Sequence, residues 1–290
     1  MCGSLSARAI TNTSSRWIRK LRIGFRTARE NIADLRDPGS FHEYGALVVA
    51  AQRIRRALND LIARTPADGL VMGIGRVNGA LFPDLDARCA VMSYDYTVLA
   101  GTQGSMNHEK KDRMFKLAAK WRIPLVVFAE GGGGRPGDTN VITAGMLEIK
   151  AFTLLAQLSG LVPLISIVAG RCFAGNAVVA GCCDVIIATK DSSLGMGSPA
   201  MIEGGGLGVF HPDEVVPSDV QRRNGVIDIL VDDESEAVRA VREQSSLVFA
   251  KSWKPSPIPR NAKSRSTQWW PKTTNAVKRS TPQPYSRSMT

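Results

Sequence analysis

The sequence predicts an α/β layered domain with parallel crossovers. Two observations carry that reading. Strand-like apolar runs alternate with helical stretches between Leu125 and Ala188, and the unit strand, glycine turn, helix, strand occurs twice in succession. The first unit is Pro124-Leu125-Val126-Val127-Phe128 leading into Ala129-Glu130-Gly131-Gly132-Gly133-Gly134-Arg135-Pro136-Gly137-Asp138. The second is Leu161 to Ala169, then Gly170-Arg171-Cys172-Phe173-Ala174-Gly175-Asn176-Ala177, the small-residue helix Val178 to Gly181, and Cys182-Cys183-Asp184-Val185-Ile186-Ile187-Ala188.

Along the chain, Arg26 to Leu35 reads as a helix that the turn Asp37-Pro38-Gly39-Ser40 ends. Phe41 to Leu47 and the basic segment Gln52 to Arg64 lead to Thr65-Pro66-Ala67-Asp68-Gly69. A strand meander is predicted next: Leu70 to Val77, a hairpin turn at Asn78-Gly79, Ala87 to Tyr94, and Thr97 to Ala100. The loop Gly101 to Met106 opens an amphipathic helix from Asn107 to Trp121. Strand Leu125 to Ala129, helix Gly145 to Ser159, strand Leu164 to Ala169, helix Gly175 to Gly181 and strand Val185 to Ala188 follow. A Gly- and Met-rich loop spans Ser192 to Gly208, Pro217 to Gln221 begins a helix, and Val226 to Val231 is a short strand. Glu234 to Phe249 is an amphipathic helix behind the acidic start Asp232-Asp233-Glu234.

Composition narrows the function. The net charge of +11 raises the question of nucleic acid, but nine Lys or Arg and no Asp or Glu lie between Lys251 and Thr290, with six prolines and no periodic apolar face. We expect a disordered basic tail over 251–290, a disordered basic arm over 1–25, and one nearly neutral domain over 26–250. No nucleic-acid module accompanies the tail, and no apolar run approaches the roughly 20 residues that span a bilayer. The five cysteines, Cys2, Cys89, Cys172, Cys182 and Cys183, are odd in number and lack metal-ligand spacing. Neither zinc nor a disulfide framework is expected; small buried thiols fit a reducing cytoplasm.

The glycines carry the chemistry. Four in a row either form a flexible surface loop or let a ligand approach the main chain and its N–H donors. Two such turns at one sheet edge can aim two N–H groups at one oxygen, which is what an enolate or tetrahedral oxyanion needs. Other residues have two readings each. Lys110, Lys111 and Arg113 suit a ligand's phosphates or a solvated helix face. Glu130 and Asp138 suit capping or proton transfer, and Met196 and Met201 an apolar ligand pocket or simple packing.

Gly170 to Asp184 spells G-x-x-x-x-G-x-x-x-x-x-x-x-C-D before Val-Ile-Ile-Ala. With the first glycine turn, this resembles the crotonase and ClpP superfamily, which implies a layered β-β-α superhelix in a single domain. Within it the chain resembles carboxyltransferase (beta) subunits of biotin-dependent acyl-CoA carboxylases of the acetyl-CoA or propionyl-CoA type. The resemblance rests also on Ala28-Arg29-Glu30-Asn31-Ile32, Asp37 to Gly45, Thr65 to Gly69 and Gly75-Arg76-Val77-Asn78-Gly79. The family's Gly-Gly-Ala-Arg turn stands here as Gly132-Gly133-Gly134-Arg135, while Arg171 and Asn176 replace a proline and a small residue.

The resemblance implies transfer of a carboxyl group from carboxybiotin to an acyl-CoA through an enolate. It places the stabilising main-chain N–H groups at Gly132, Gly133, Gly175 and Asn176, and substrate contacts at Gly104, Ser105, Gly134, Arg135 and Gly170. No cofactor or metal is expected to bind directly; biotin arrives as a co-substrate on a carrier protein. Implied partners are acyl-CoA, a biotin carboxylase or biotin carrier subunit, and another copy or a partner carboxyltransferase half. Only the first, acyl-CoA-binding half of the family's two is represented. Another CoA-thioester enzyme, a decarboxylase or hydratase, and a noncatalytic CoA-binding fragment are the alternatives.

Overall fold

The computed structural model of the protein describes residues 26–82, 87–135, 137–138 and 149–249. The expected arm 1–25, the tail 251–290 and the start of the helix expected at Gly145 lie outside the described residues.

Helix α1 (Ala28–Leu35) begins with a capping box: the Thr27 hydroxyl accepts from the Glu30 N–H at 3.2 Å, and the Glu30 carboxylate accepts from the Thr27 N–H at 2.7 Å. Its buried Ala28, Ile32 and Leu35 recur at helical spacing. After β1 (His42–Glu43) and α2 (Leu58–Arg64), a 3₁₀ turn at Pro66–Gly69 feeds β2 (Leu70–Arg76) and β3 (Arg88–Tyr94). Then come α3 (Ser105–Trp121), β4 (Leu125–Phe128), α4 (Lys150–Leu158) and β5 (Leu164–Val168). The chain continues through β6 (Arg171–Phe173), α5 (Gly175–Gly181), β7 (Val185–Thr189), β8 (Ser193–Gly195), α6 (Pro199–Gly204), α7 (Ser218–Arg223), β9 (Ile229–Val231) and α8 (Glu234–Phe249).

Seven strands form the main sheet in the order β1-β2-β3-β4-β5-β7-β9. The first two pairings are antiparallel and the rest parallel. The central strands are apolar on both faces because both are covered. Leu125 and Val127 point to a core shared with Met114, Phe115 and Ala118 of α3 and with Ala151, Leu155 and Leu158 of α4. Val126 and Phe128 point to the opposite core, which Ile32 and Leu35 of α1 and Ala237, Val238 and Val241 of α8 close. Strands β6 and β8 form a separate parallel pair beyond the end of β5. Asp184 holds the lower end of β5 in register, its carboxylate accepting from the Leu164 N–H at 2.8 Å.

The predicted alternation is present, with these departures: the loop expected over Ser192 to Gly208 holds β8 and α6, and four other elements differ. The β2–β3 pairing is a hairpin in register (Arg76 opposite Arg88), but its connection is far longer than the two-residue Asn-Gly turn. Asn78 takes the left-handed conformation within that longer loop. The strand expected at Thr97 to Ala100 is a 3₁₀ turn in which Leu99 and Ala100 have positive φ, so it cannot pair as a ladder. The predicted strand at Val226 is confined to Ile229–Val231. Helix α3 starts at Ser105, two residues early, because Asp138 accepts from the Ser105 N–H at 3.0 Å and caps it from a distant loop.

His108 on α3 meets Phe152 of α4 edge-on at 6.5 Å. Burial, with the charges of Lys111 and Arg135 added, pushes its pKa from 6.5 down to about 3. Because the folded value lies below the unfolded one, this group's contribution is complete above 6.5 and is lost as pH falls toward about 3. Urea unfolding of wild type and His108→Phe is expected to diverge below that pH, wild type losing up to about 1.4 kcal/mol more per pH unit. Parallel pH profiles for the two proteins would refute this.

Candidate active site at the two glycine turns

The first glycine turn leaves β4 and runs alongside β6. The Gly131 N–H donates to the Arg171 carbonyl at 2.8 Å, and the Gly131 carbonyl accepts from the Phe173 N–H at 2.9 Å. Gly131 and Gly133 both have positive φ, +143° and +89°. A methyl group on Gly131 would collide with the Gly101 carbonyl, and one on Gly133 would lie 2.6 Å from the Ala174 methyl and 3.4 Å from the Gly175 nitrogen. Glycine is therefore required here because the two turns touch.

Asn176, fully buried in the first turn of α5, joins them. Its Oδ1 accepts from the Gly133 N–H at 3.0 Å; its Nδ2 donates to the Glu130 carbonyl at 2.7 Å and the Gly101 carbonyl at 3.3 Å. One side-chain amide thus ties three segments together.

These bonds sort the expected donors. The Gly132 N–H is used by the Ala100 carbonyl at 3.1 Å and the Gly133 N–H by Asn176, so neither points free. Among the described residues, the N–H groups of Gly134 and Gly175 have no hydrogen-bond partner, and the Cβ side of Gly134 faces open space. The site residues Gly175 and Asn176 are brought against the first turn as expected from the repeated motif, but Asn176 contributes its side chain as a strut.

Backbone strain gathers around this junction. Eight described non-glycine residues have positive φ. Ala174, which caps α5, sits at φ 49° and ψ −122°, a conformation normally left to glycine. Ala100, at φ 55°, presents the carbonyl that engages Gly132. Ala67 and Asp68, at φ 52° and 50°, lie under Arg135 and Lys110.

Arg135 is engaged inside the protein, its side chain only 4 % exposed. It pairs with the fully buried Asp68 and donates to the Thr102 carbonyl at 2.7 Å and the Thr102 hydroxyl at 3.2 Å. These bonds make Arg135 a residue that orders its own loop. Burial raises the Asp68 carboxyl while the Arg135 charge and hydrogen bond pull it down. Gly104 is the N-cap position of α3, where a side chain would strike Asp138 and Arg135, and the Ser105 N–H is held by Asp138. Gly170 packs against Glu130, where a methyl would sit 3.5 Å from its carboxyl carbon.

The remaining candidates also fall into place. Lys110 is buried and donates to the carbonyls of Ala67 and Leu70 at 2.7 and 2.5 Å, and Lys111 is buried against Gln103; only Arg113 of the three is exposed. Asp138 caps α3. Met196 and Met201 are each 61 % exposed. Burial raises the thiols of Cys89, to about 12, and of Cys172 and Cys183. Among the described residues no His, Cys, Asp and Glu cluster has metal-binding geometry, and no helix is long and apolar enough to cross a membrane.

Sequence reasoning missed Gln103. It lies 3 % exposed between the two turns, its N–H bonded to the Gly133 carbonyl at 2.7 Å and its side chain against Gly175. A polar residue inside Gly-Thr-Gln-Gly was the available signal.

The sequence matches the family described as carboxyl transferase domain over residues 19–288. A biotin-dependent long chain acyl-coenzyme A carboxylase beta4 subunit of Mycobacterium tuberculosis is 32% identical over 81% of this chain and 42% of its own. A propionyl-CoA carboxylase beta chain of Saccharopolyspora erythraea is 30% identical over 81% and 41%. The chain therefore spans less than half the length of these curated relatives. The structure of a single-chain, multi-domain long-chain acyl-CoA carboxylase is 57% identical, with a TM-score of 0.79 over 83% of this chain and 24% of that one. Transcarboxylase 12S, solved with methylmalonyl-coenzyme A and methylmalonic acid bound, gives 25% identity and a TM-score of 0.69 over 84% and 46%. These neighbours are carboxyltransferases of crotonase-like fold, so the expected layering holds. Touching glycine turns on a crotonase-like sheet, and a family match running through nearly the whole sequence, have one reading: the chain belongs to the carboxyl transferase domain family.

Proposed function

We propose that this chain is the acyl-CoA-binding half of a biotin-dependent carboxyltransferase, with the thioester oxygen held by the N–H groups of Gly134 and Gly175. The observation that carries this is the contact of the two glycine turns, which leaves those two donors without partners while Gly132 and Gly133 are used internally. Loss of the α-proton converts the thioester to an enolate whose negative oxygen gains from both donors. Each is worth about 3 to 4 kcal/mol in such sites. The enolate carbon attacks the carboxyl carbon of N1-carboxybiotin; the C–N bond breaks, biotin N1 leaves with the bonding pair, and N1 takes up the proton that the α-carbon gave up, so no proton is gained or lost overall. No side-chain nucleophile enters that sequence, in keeping with thiols that burial holds protonated.

The 57% identical structure is named for long-chain acyl-CoA, which favours a long acyl group over acetyl or propionyl. The biotin side belongs to a second carboxyltransferase half, and the biotin to a carrier partner. The exposed apolar residues Met196, Met201, Leu207, Val209 and Phe210 suit such a partner's approach. A reducing cytoplasm remains the expected compartment.

Calorimetry with acetyl-, propionyl- and decanoyl-CoA tests the reading: saturable binding is expected, tightest for the longest chain. No binding by folded protein sinks it. Two glycine variants separate ligand space from loop geometry. Gly134→Val is expected to keep the unfolding temperature and weaken binding more than about tenfold, since its side chain enters open space beside the proposed donor. Gly133→Val is expected to lose about 1 to 3 kcal/mol of stability, because that position is left-handed and abuts Ala174. Unchanged affinity in Gly134→Val would move the site elsewhere.

The purified chain should not carboxylate acyl-CoA when given carboxylated carrier protein alone. Holding carboxybiotin beside the α-carbon contributes roughly 7 to 11 kcal/mol, and that positioning belongs to the second half. Turnover without a partner, above the level of Gly134→Val, refutes the division of labour.

A further inference from the structure

We infer that Gln103 and Lys111 form a positioning pair that braces the second glycine turn against the first and thereby sets the affinity of the acyl-CoA pocket. The inference rests on the acyl-CoA reading above and assigns two residues to it.

Gln103 belongs to both turns. Its N–H donates to the Gly133 carbonyl at 2.7 Å, and its carbonyl accepts from the Arg135 N–H at 2.9 Å, so its backbone is part of the first turn. Its side-chain amide lies flat against Gly175: a methyl there would be 3.3 Å from Oε1, 3.4 Å from Cδ and 3.5 Å from Nε2. The residue that offers an unpartnered N–H at the start of α5 is therefore backed by this one amide.

Lys111 fixes the amide. Its Nζ donates to Gln103 Oε1 at 2.6 Å, the side chain is fully buried, and no other hydrogen-bond partner or carboxylate pairs with it among the described residues. The Tyr94 ring lies 5.8 Å from the ammonium. A buried ammonium with one hydrogen bond is costly, so a purely structural core would be better served by an apolar residue of similar length. Gln103 Nε2 is buried without a partner, and Lys111 accounts for the orientation: an ammonium can only donate, so it holds Oε1 toward itself and turns Nε2 away.

The charged and titratable groups around Lys111 are Tyr94 on β3, His108 and Asp112 on α3, Asp68 in the 3₁₀ turn and Arg135 in the glycine loop. Burial pushes the Lys111 pKa down to about 7, against the pull of Asp112 and Asp68. Above that value the neutral amine can accept as well as donate, and it no longer enforces one orientation of the amide. Bracing is therefore strongest below about pH 7.

Two measurements on the full chain test the pair. In nitrogen-labelled protein, the Gly175 amide resonance is expected to titrate with a midpoint near 7 in wild type and to lose that step in Lys111→Met. Propionyl-CoA binding, followed calorimetrically from about pH 6 to about pH 8.5, is expected to be about tenfold weaker at the acid end in Lys111→Met, with the difference closing as pH rises. Ionisation of the CoA phosphate is common to both proteins and cancels in that difference. Lys116→Met, exposed on the same helix, is the control and should match wild type. Gln103→Leu combined with Lys111→Met avoids stranding an ammonium in the core and should reproduce the loss at an unfolding temperature close to wild type. A Gly175 amide indifferent to Lys111, or affinities and pH profiles identical in variant and wild type, overturns the pair and leaves the acyl-CoA reading standing. No binding by wild type removes the acyl-CoA reading and the assigned role together, even if the amide titrates.

Discussion

The three hydrogen bonds of the Asn176 side chain are the constraint on which the site depends. Sheet pairing delivers β4 and β5 side by side, but it fixes neither the path of the chain after Phe128 nor that after Val168. Asn176 supplies what the ladder does not: one buried amide that satisfies Gly133, Glu130 and Gly101 at once. Truncating it would leave an N–H and two carbonyls unpaired in a dry interior, each at a cost of about 1 to 3 kcal/mol. The strained Ala174 beside it persists because the surrounding bonds over-determine its conformation.

Around that junction lies a second tier of ordering contacts. Arg135 reaches back to Asp68 and Thr102, Lys110 holds the carbonyls of Ala67 and Leu70, and Asp138 caps α3. Almost every charged residue near the glycines is thus spent on shaping the loop. For the proposed acyl-CoA reading this leaves main-chain donors to meet the thioester oxygen.

Much of this was legible in the sequence. The repeated strand, glycine turn, helix unit gave the parallel core, because a strand followed by glycine and then a small-residue helix has few other ways to fold. The glycine turns gave the place of the candidate site. What was not legible was the assignment of individual donors. Which N–H is free depends on partners such as Ala100 and Asn176, 32 and 43 residues away from the glycines they engage. The partners of Lys110, Lys111 and Arg135 were not legible for a related reason: cations beside a glycine loop have no visible partner in the sequence, and buried carbonyls, a side-chain amide and a buried carboxylate engage them here. The 3₁₀ turn at Leu99 escaped because nothing local requires a leucine and an alanine to adopt positive φ; only the contact of their loop with the first glycine turn does.

Helices α1 and α8 cover the second face of the sheet together, joined where the Arg242 guanidinium donates to the Leu35 carbonyl at 2.8 Å and the Asn78 side chain to the Arg242 carbonyl at 2.7 Å. The two helices stand more than 200 residues apart in sequence, at opposite ends of the described fold. During synthesis, Val126, Ile165, Ile167, Val185 and Ile187 are therefore all made before the helix that shields them. A nascent chain that has already made α1 and its parallel strands can cover only part of this aliphatic face until α8 follows.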